Sequence, residues 1–349
     1  MNDRYTILAP QGRGHFTERL GELYLTLGHY LDIEKAAGRQ TQFTKIFLSD
    51  AQNQYGDLKK STLYKEYIAP IPHTIIEQPP LDGSKISVLV KTSTTECPFI
   101  FHSIRLKEEE TRGANSYIQT MLIFNKYLED IQQRGLSLKE HCVRTWIYVA
   151  DIDVNYQGMV NARNDIFRQH GLTADTHFIA STGIGGRQQD PNVLSQMDNY
   201  AIAGLQPEQV SYLYAPTHLN RTSDYGVSFE RGTRIDYADR RHVFISGTAS
   251  INNKGEVMYP KDVEQQTRRM WENVEALLKE ADCTYDDVPM IIVYLRDIAD
   301  YGLVRRLFEE RVPCKPTVIV HAAVCRPGWL VEMECMAVKK VSNPALPAF

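Results

Sequence analysis

HVFISGTASI (residues 242–251) is an apolar run closed by Asn252-Asn253-Lys254-Gly255, a turn-forming tetrad. Beyond the turn, Met270, Trp271, Val274, Leu277 and Leu278 recur at helical spacing and predict an amphipathic helix. Met290-Ile-Ile-Val-Tyr-Leu295 reads as a strand, and Leu303, Leu307 and Phe308 as the apolar face of a second helix. Thr317–Ala323 and Leu330–Val338 read as two closing strands. The order ββαβαββ, within about one small domain's length, predicts an α+β unit, a mixed sheet with two helices on one face.

In FISGTASINNKGEV (244–257), NVEALLKEADCTYDDV (273–288), VYLRDIADY (293–301) and WLVEMECMAV (329–338), the stretch 242–340 resembles the Rid (YjgF/endoribonuclease L-PSP-like) family. The resemblance implies a chorismate-mutase-like fold, usually assembled in that family as a trimer with clefts between subunits.

A chain of 349 residues is too long for one such unit. Residues 1–92 repeat the order with strands Tyr5–Ala9, Phe43–Leu48, His73–Glu77 and Ile86–Val90, and helices through Leu20–Leu27 and Tyr55–Tyr67. The opening hairpin is missing there or reduced to Gln11-Gly-Arg-Gly14, so this unit is degenerate. Residues 93–215 repeat it more clearly. Strand Phe99–Ile104 leads to a helix bearing Tyr117, Met121, Phe124, Leu128 and Ile131. VRTWIYVADID (143–153), helix Tyr156–His170, strand His177–Ser181, a Gly-rich bend and Asn199–Ala203 follow. Phe47…Asp50, Tyr148…Asp151 and Tyr294…Asp297 mark a shared register, the aspartates reading as helix N-caps. The remaining stretch, 216–241, reads as a linker packed along a cleft before the C-terminal unit, 242–349; it is too aromatic for a disordered tether. Three tandem units in one chain predict a monomer with a pseudo-threefold core, or a homotrimer where new surfaces associate.

Composition narrows the function. A net charge of -4 and a pI near 6.2 lack the basic excess of a nucleic-acid surface. No run approaches the ~20 apolar residues of a membrane span, and the N-terminus lacks a signal peptide's apolar core. Six scattered cysteines without a CxxC pair fit a reducing compartment, and a cytoplasmic location is expected.

Equivalent positions differ in chemistry. Glu332 and Glu334 alternate with Val331, Met333 and Cys335, so both carboxylates leave one strand face. That face reads equally as a catalytic wall or as the solvated side of an edge strand. The first unit carries Leu81 and Ser87 at the Arg326 and Glu332 positions, and the second places Asp198 near the carboxylate position. Gly183, Gly185 and Gly186 allow either close approach to a ligand or a plain hairpin.

RTWIYVADI, NAR, ASTGIGG, YGVSFERG, ISGTASI and VCRPGWLVEME are similar in order to the chorismatases, Rid relatives that hydrolyse or rearrange chorismate with release of pyruvate. The resemblance implies Glu332 as the acid, and Cys325 and Ala249 as positions shaping product choice. It implies Arg163 and Arg231 as holders of substrate carboxylates, with Arg326, Gly185, Gly186 and Tyr214 completing the substrate site. The implied partner is a small carboxylate, with no metal or other cofactor. The chain departs from the family in WIYVADID, where WNY-P-IN is usual, and in FERG, where FSRA is usual. Rival readings are a Rid-type enamine or imine hydrolase and a non-catalytic carboxylate-binding protein. The first expects an arginine after the residues opening the penultimate strand, where this chain has Thr317-Val318.

Overall fold

The computed structural model describes residues 3–94 and 99–348, so Cys97 lies outside the described residues. A first sheet is built from β1 (Asp3–Leu8), β2 (Gln40–Leu48), β3 (His73–Glu77) and β4 (Ile86–Ser93), in the order β1-β4-β2-β3. Its helices are α1 (Phe16–Ala36) and α2 (Ala51–Lys60). A second sheet, β5 (Phe99–Ile104), β6 (Cys142–Val149), β7 (Ala180–Gly185) and β8 (Ser195–Ile202), has the equivalent order β5-β8-β6-β7. It carries α3 (Ser116–Gln133) and α4 (Ile152–Gln169). In both, one pair is parallel (β2 with β3, β6 with β7) and the rest antiparallel, the signature of a βαβ crossover inside a mixed sheet.

The third sheet repeats that core and extends it. Its strands are β9 (Val210–Leu213), β10 (Gly232–Asp236), β11 (Arg240–Ala249), β12 (Met290–Leu295), β13 (Thr317–His321) and β14 (Val331–Lys340), ordered β13-β12-β14-β11-β10-β9. Its helices are α5 (Val263–Glu280) and α6 (Tyr301–Arg311). β10 falls inside the stretch read as a linker and supplies the other half of the opening hairpin, pairing antiparallel with β11. The stretch ASTGIGG, read partly as a bend, is mostly strand β7, lying parallel to β6. The chain is therefore an α+β protein of tandem Rid-like units.

The shared register is real at the level of pairing. Phe47, Tyr148 and Tyr294 face Ser87, Gln196 and Glu332 on their antiparallel neighbours. Asp198 thus occupies the position of Glu334, two residues beyond that of Glu332. Asp50 and Asp297 accept hydrogen bonds from the N–H groups of Asn53 and Ala299, as helix-capping aspartates do. Asp151 instead adopts a left-handed backbone and pairs with Arg187.

The sheets share one core. Tyr200 of the second sheet is fully buried, with its ring 5.4 Å from Phe43 of the first, 5.2 Å from Trp146 of the second and 5.9 Å from Phe244 of the third. Backbone hydrogen bonds join the sheets pairwise: Glu77 N–H to Arg187 O (2.9 Å), His321 N–H to Pro79 O (2.8 Å) and Gly185 N–H to Ala323 O (3.0 Å).

Because Tyr200 packs on all three sheets, its truncation opens a cavity that no single sheet can collapse to fill. Tyr200→Ala is expected to cost about 3–5 kcal/mol. Urea unfolding should show a single transition moved to lower denaturant, with no separate melting of one sheet.

Candidate active site

β14 lies between β11 and β12, not at a sheet edge. Its two glutamates are therefore buried, and the solvated-face reading fails on position alone. Glu334 is fully engaged. It accepts from Arg144 Nη2 at 2.8 Å, from Trp146 Nε1 at 2.6 Å and from the Thr182 hydroxyl. Thr182 Oγ1 itself accepts from Arg144 Nη2 (2.6 Å) and from the Gly247 N–H (2.9 Å). This is a buried ion pair in which Nη2 of Arg144 and both oxygens of Glu334 are bonded, while Nη1 of Arg144 has no partner among the described residues.

Glu332, one pleat away, has a different environment. Its carboxyl makes no hydrogen bond among the described residues and lies under Gly247, where an added Cβ would sit 2.3 Å from Oε1. Burial and the charge of Glu334 push its pKa up to about 8, against the opposing pull of Arg231 and Arg144. One carboxylate is tied to a guanidinium and its neighbour is left holding a proton at neutral pH, an arrangement suited to general acid chemistry.

Other elements close a cavity over Glu332. From α4, Tyr156 and Arg163 project on one helical face, seven residues apart. Arg163 is 1% exposed, and its Nε and Nη2 have no hydrogen-bond partner among the described residues, while Tyr156 lies against the guanidinium. Arg231 is anchored by Asn220, through the backbone oxygen (3.2 Å from Nε) and Oδ1 (3.0 Å from Nη2). Arg326 sits over the rings of Tyr225 at 4.8 Å and Trp329 at 5.1 Å. Burial and the Glu332 charge raise the Cys325 thiol to about 12, so it remains a neutral SH group. Ala249 on β11 is the cross-strand neighbour of Glu332. The free space is only about 30 Å³, room for about one water.

The structure thus brings together Glu332, Arg163, Arg231, Arg326, Cys325 and Ala249 around one cavity. It does not bring in three others. Gly185 packs on the Ala323 backbone, where a Cβ would lie 2.9 Å from the carbonyl oxygen, and Gly186 packs on Ile76 and Tyr148. Both glycines serve the close approach of neighbouring sheets, and Gly183, two residues earlier, lines the cavity instead. Tyr214 donates its backbone N–H to Glu280 and stacks under Arg221, away from the cavity. Arg144, Trp146, Thr182, Tyr156 and Tyr225 were not singled out from the sequence. Arg144 carried a signal, since an arginine within the otherwise apolar VRTWIYV run demands a buried counter-charge. Among the described residues no cluster of three His, Cys, Asp or Glu side chains is placed to hold a metal.

Two measurements test these environments. Glu334→Gln leaves Arg144 buried without a counter-charge and is expected to cost about 3–5 kcal/mol in urea unfolding; Glu334→Leu combined with Arg144→Met should recover part of that loss. Carboxyl-carbon NMR should show Glu332 titrating near pH 8. The folded pKa lies above the unfolded one, so the extra proton stabilises the fold fully at low pH, and stability falls as pH rises from about 4.5 toward 8. Glu332→Gln should flatten that slope.

Residues 235–339 match the profile of the endoribonuclease L-PSP family. Over 100 residues the chain is 31% identical to a RutC family protein of Pyrococcus abyssi, an alignment covering 28% of this chain and 79% of the relative. A RutC family protein of Saccharolobus solfataricus is 33% identical over 99 residues, with the same coverage. Among solved structures, a crystal structure of chorismatase aligns over 96% of this chain and 98% of its own, with a TM-score of 0.68 and 17% identity, a likeness of fold. With its C-terminal unit matched to these relatives, the chain belongs to the Rid superfamily, and over its whole length it shares the fold of that chorismatase.

Proposed function

We propose that the cavity between the second and third sheets is the active site of a cofactor-independent enzyme that releases pyruvate from chorismate or a similar enolpyruvyl carboxylate. One observation carries this reading: a protonated, unbonded Glu332 shares a buried cavity with Arg163, whose guanidinium has unsatisfied N–H groups. A carboxylate substrate would supply what those N–H groups lack, through charge-assisted hydrogen bonds.

The chemistry balances with the groups present. Glu332 gives its proton to the enolpyruvyl methylene carbon, which becomes a methyl group as positive charge develops on the adjacent ether carbon. Water adds to that carbon, its surplus proton restoring Glu332, and the hemiketal breaks its C–O bond to give pyruvate and the ring alcohol. The ionised Glu334, one pleat behind, favours both the protonated state of Glu332 and the developing cation. Entry of a substrate requires displacement of the Arg326, Tyr225 and Trp329 cover, because the free volume holds about one water. We further propose that the three units close on one another as a pseudo-threefold core, placing one cleft at each interface.

Incubation with chorismate and a pyruvate assay test the reading. Glu332→Gln should lower turnover roughly 10²–10⁴-fold with little change in substrate binding. Arg163→Ala should chiefly weaken binding, since the carboxylate it would hold is present in ground and transition states alike. An unchanged rate in Glu332→Gln would exclude the mechanism, and saturable binding without pyruvate would favour a non-catalytic carboxylate-binding protein.

A further inference from the structure

Three clefts occupy matching positions in the three sheets. With Phe47, Tyr148 and Tyr294 aligned, the parallel pairings place His73, Ser181 and Thr317 at equivalent points on β3, β7 and β13. Ser181 lines the candidate active cavity. His73 lines a cleft of about 510 Å³ between the first and second sheets, and Thr317 one of about 830 Å³ between the first and third. The clefts share a location but not their chemistry.

In the cleft of the first and second sheets the cations are spent. Arg105 pairs with Asp198 at 3.1 Å, and Arg187 pairs with Asp151. The cleft of the first and third sheets is different. Arg13, Arg19, Arg305 and Lys315 line it, against Asp82 and Glu309. Arg305 is paired with Glu309 at 2.7 Å, which leaves three cations facing one carboxylate. Among the described residues Arg19, 7% exposed, bonds only neutral carbonyl oxygens, those of Gly14 (3.0 Å) and Gly83 (2.6 Å). Among the described residues Lys315 Nζ likewise hydrogen-bonds only backbone oxygens, with Val288 O at 3.1 Å. Arg13 makes no ion pair among the described residues. The nearby Glu18 and Glu22 are turned to the backbone N–H groups of His15, Gln11 and Gly12, and neither lines the cleft. At the position of the acid Glu332 stands Ser87, hydrogen-bonded to Ser84 at 3.2 Å.

We propose that this cleft is a second ligand site, which binds a small organic anion carrying two or more negative charges and does not turn it over. Its volume admits a molecule of many heavy atoms, its surplus of two positive charges selects anions, and a hydroxyl replaces the proton donor of the catalytic cavity. Occupancy would bridge the Arg13 loop and Asp82–Ser84 of the first unit to α6 and Lys315 of the third. The inference stands apart from the catalytic reading, because it concerns other residues and is read as binding.

Isothermal titration calorimetry of the full chain with citrate as the probe tests it, with inorganic phosphate and neutral trimethyl citrate alongside. Citrate should bind at one site, trimethyl citrate should not bind, and raised salt should weaken the association. The double variant Arg13→Ser, Lys315→Gln should weaken citrate binding about tenfold or more. Arg13→Ser alone, at an exposed residue, should weaken it by a smaller factor while leaving the fold intact. Arg163→Ala, in the other cavity, should leave citrate binding unchanged. Three outcomes would overturn the proposal: no citrate binding, binding of phosphate but not citrate, or binding lost in Arg163→Ala and untouched in the double variant.

Discussion

The buried pairing of Glu334 with Arg144 is the interaction on which the candidate site depends. It crosses from the third sheet to the second, so it locks the two walls of the cavity together. It also ties up the guanidinium that bonds the β14 glutamate pair, while Arg231 acts on Glu332 without a hydrogen bond among the described residues. A second guanidinium bonded to Glu332 would hold that carboxyl ionised; here the nearer carboxylate takes Arg144, Trp146 and Thr182, and the farther one keeps its proton. Two residues of the same type on one strand face acquire opposite states because one pleat changes what each can touch.

The other interfaces carry buried charge as well, arranged differently. Between the first and second sheets Lys45 lies 3.7 Å from Asp198 and 3.6 Å from the centre of the Trp146 ring, and burial lowers its amine to about 8. Between the first and third, Asp3 meets His242 at 2.9 Å and Arg240 at 3.3 Å. Each pair costs desolvation, and each is satisfied only in one relative placement of two sheets. The apolar core around Tyr200 supplies the driving force for closing the chain on itself, while these pairs penalise misplaced register. The three clefts left at the interfaces differ in chemistry, with Ser87 standing in the first sheet at the position Glu332 holds in the third.

Sequence by itself determined the local structure and the repeat. Met270, Trp271, Val274, Leu277 and Leu278 at helical spacing define α5, and the Phe47, Tyr148 and Tyr294 register survives in the strand pairings, because both follow from the period of the backbone. The chemical types at Glu332, Arg163 and Arg231 could also be read along the chain. What only the tertiary structure decided is the environment of each. Alternation placed Glu332 and Glu334 on one face without telling whether that face met water, since an edge and a central strand can share the same pattern. Strand order put β14 in the middle and buried both. The stretch 216–241 looked like a packed linker because its strand β10 is short, and its pairing partners lie in the third sheet. The chorismatase resemblance marked Tyr214 and Gly185 as substrate residues, yet Tyr214 stacks beneath Arg221 and Gly185 makes room for the Ala323 backbone. Partners separated by a hundred or more residues, such as Arg144 with Glu334, leave no trace in local periodicity, and their distance is set by how the sheets pack.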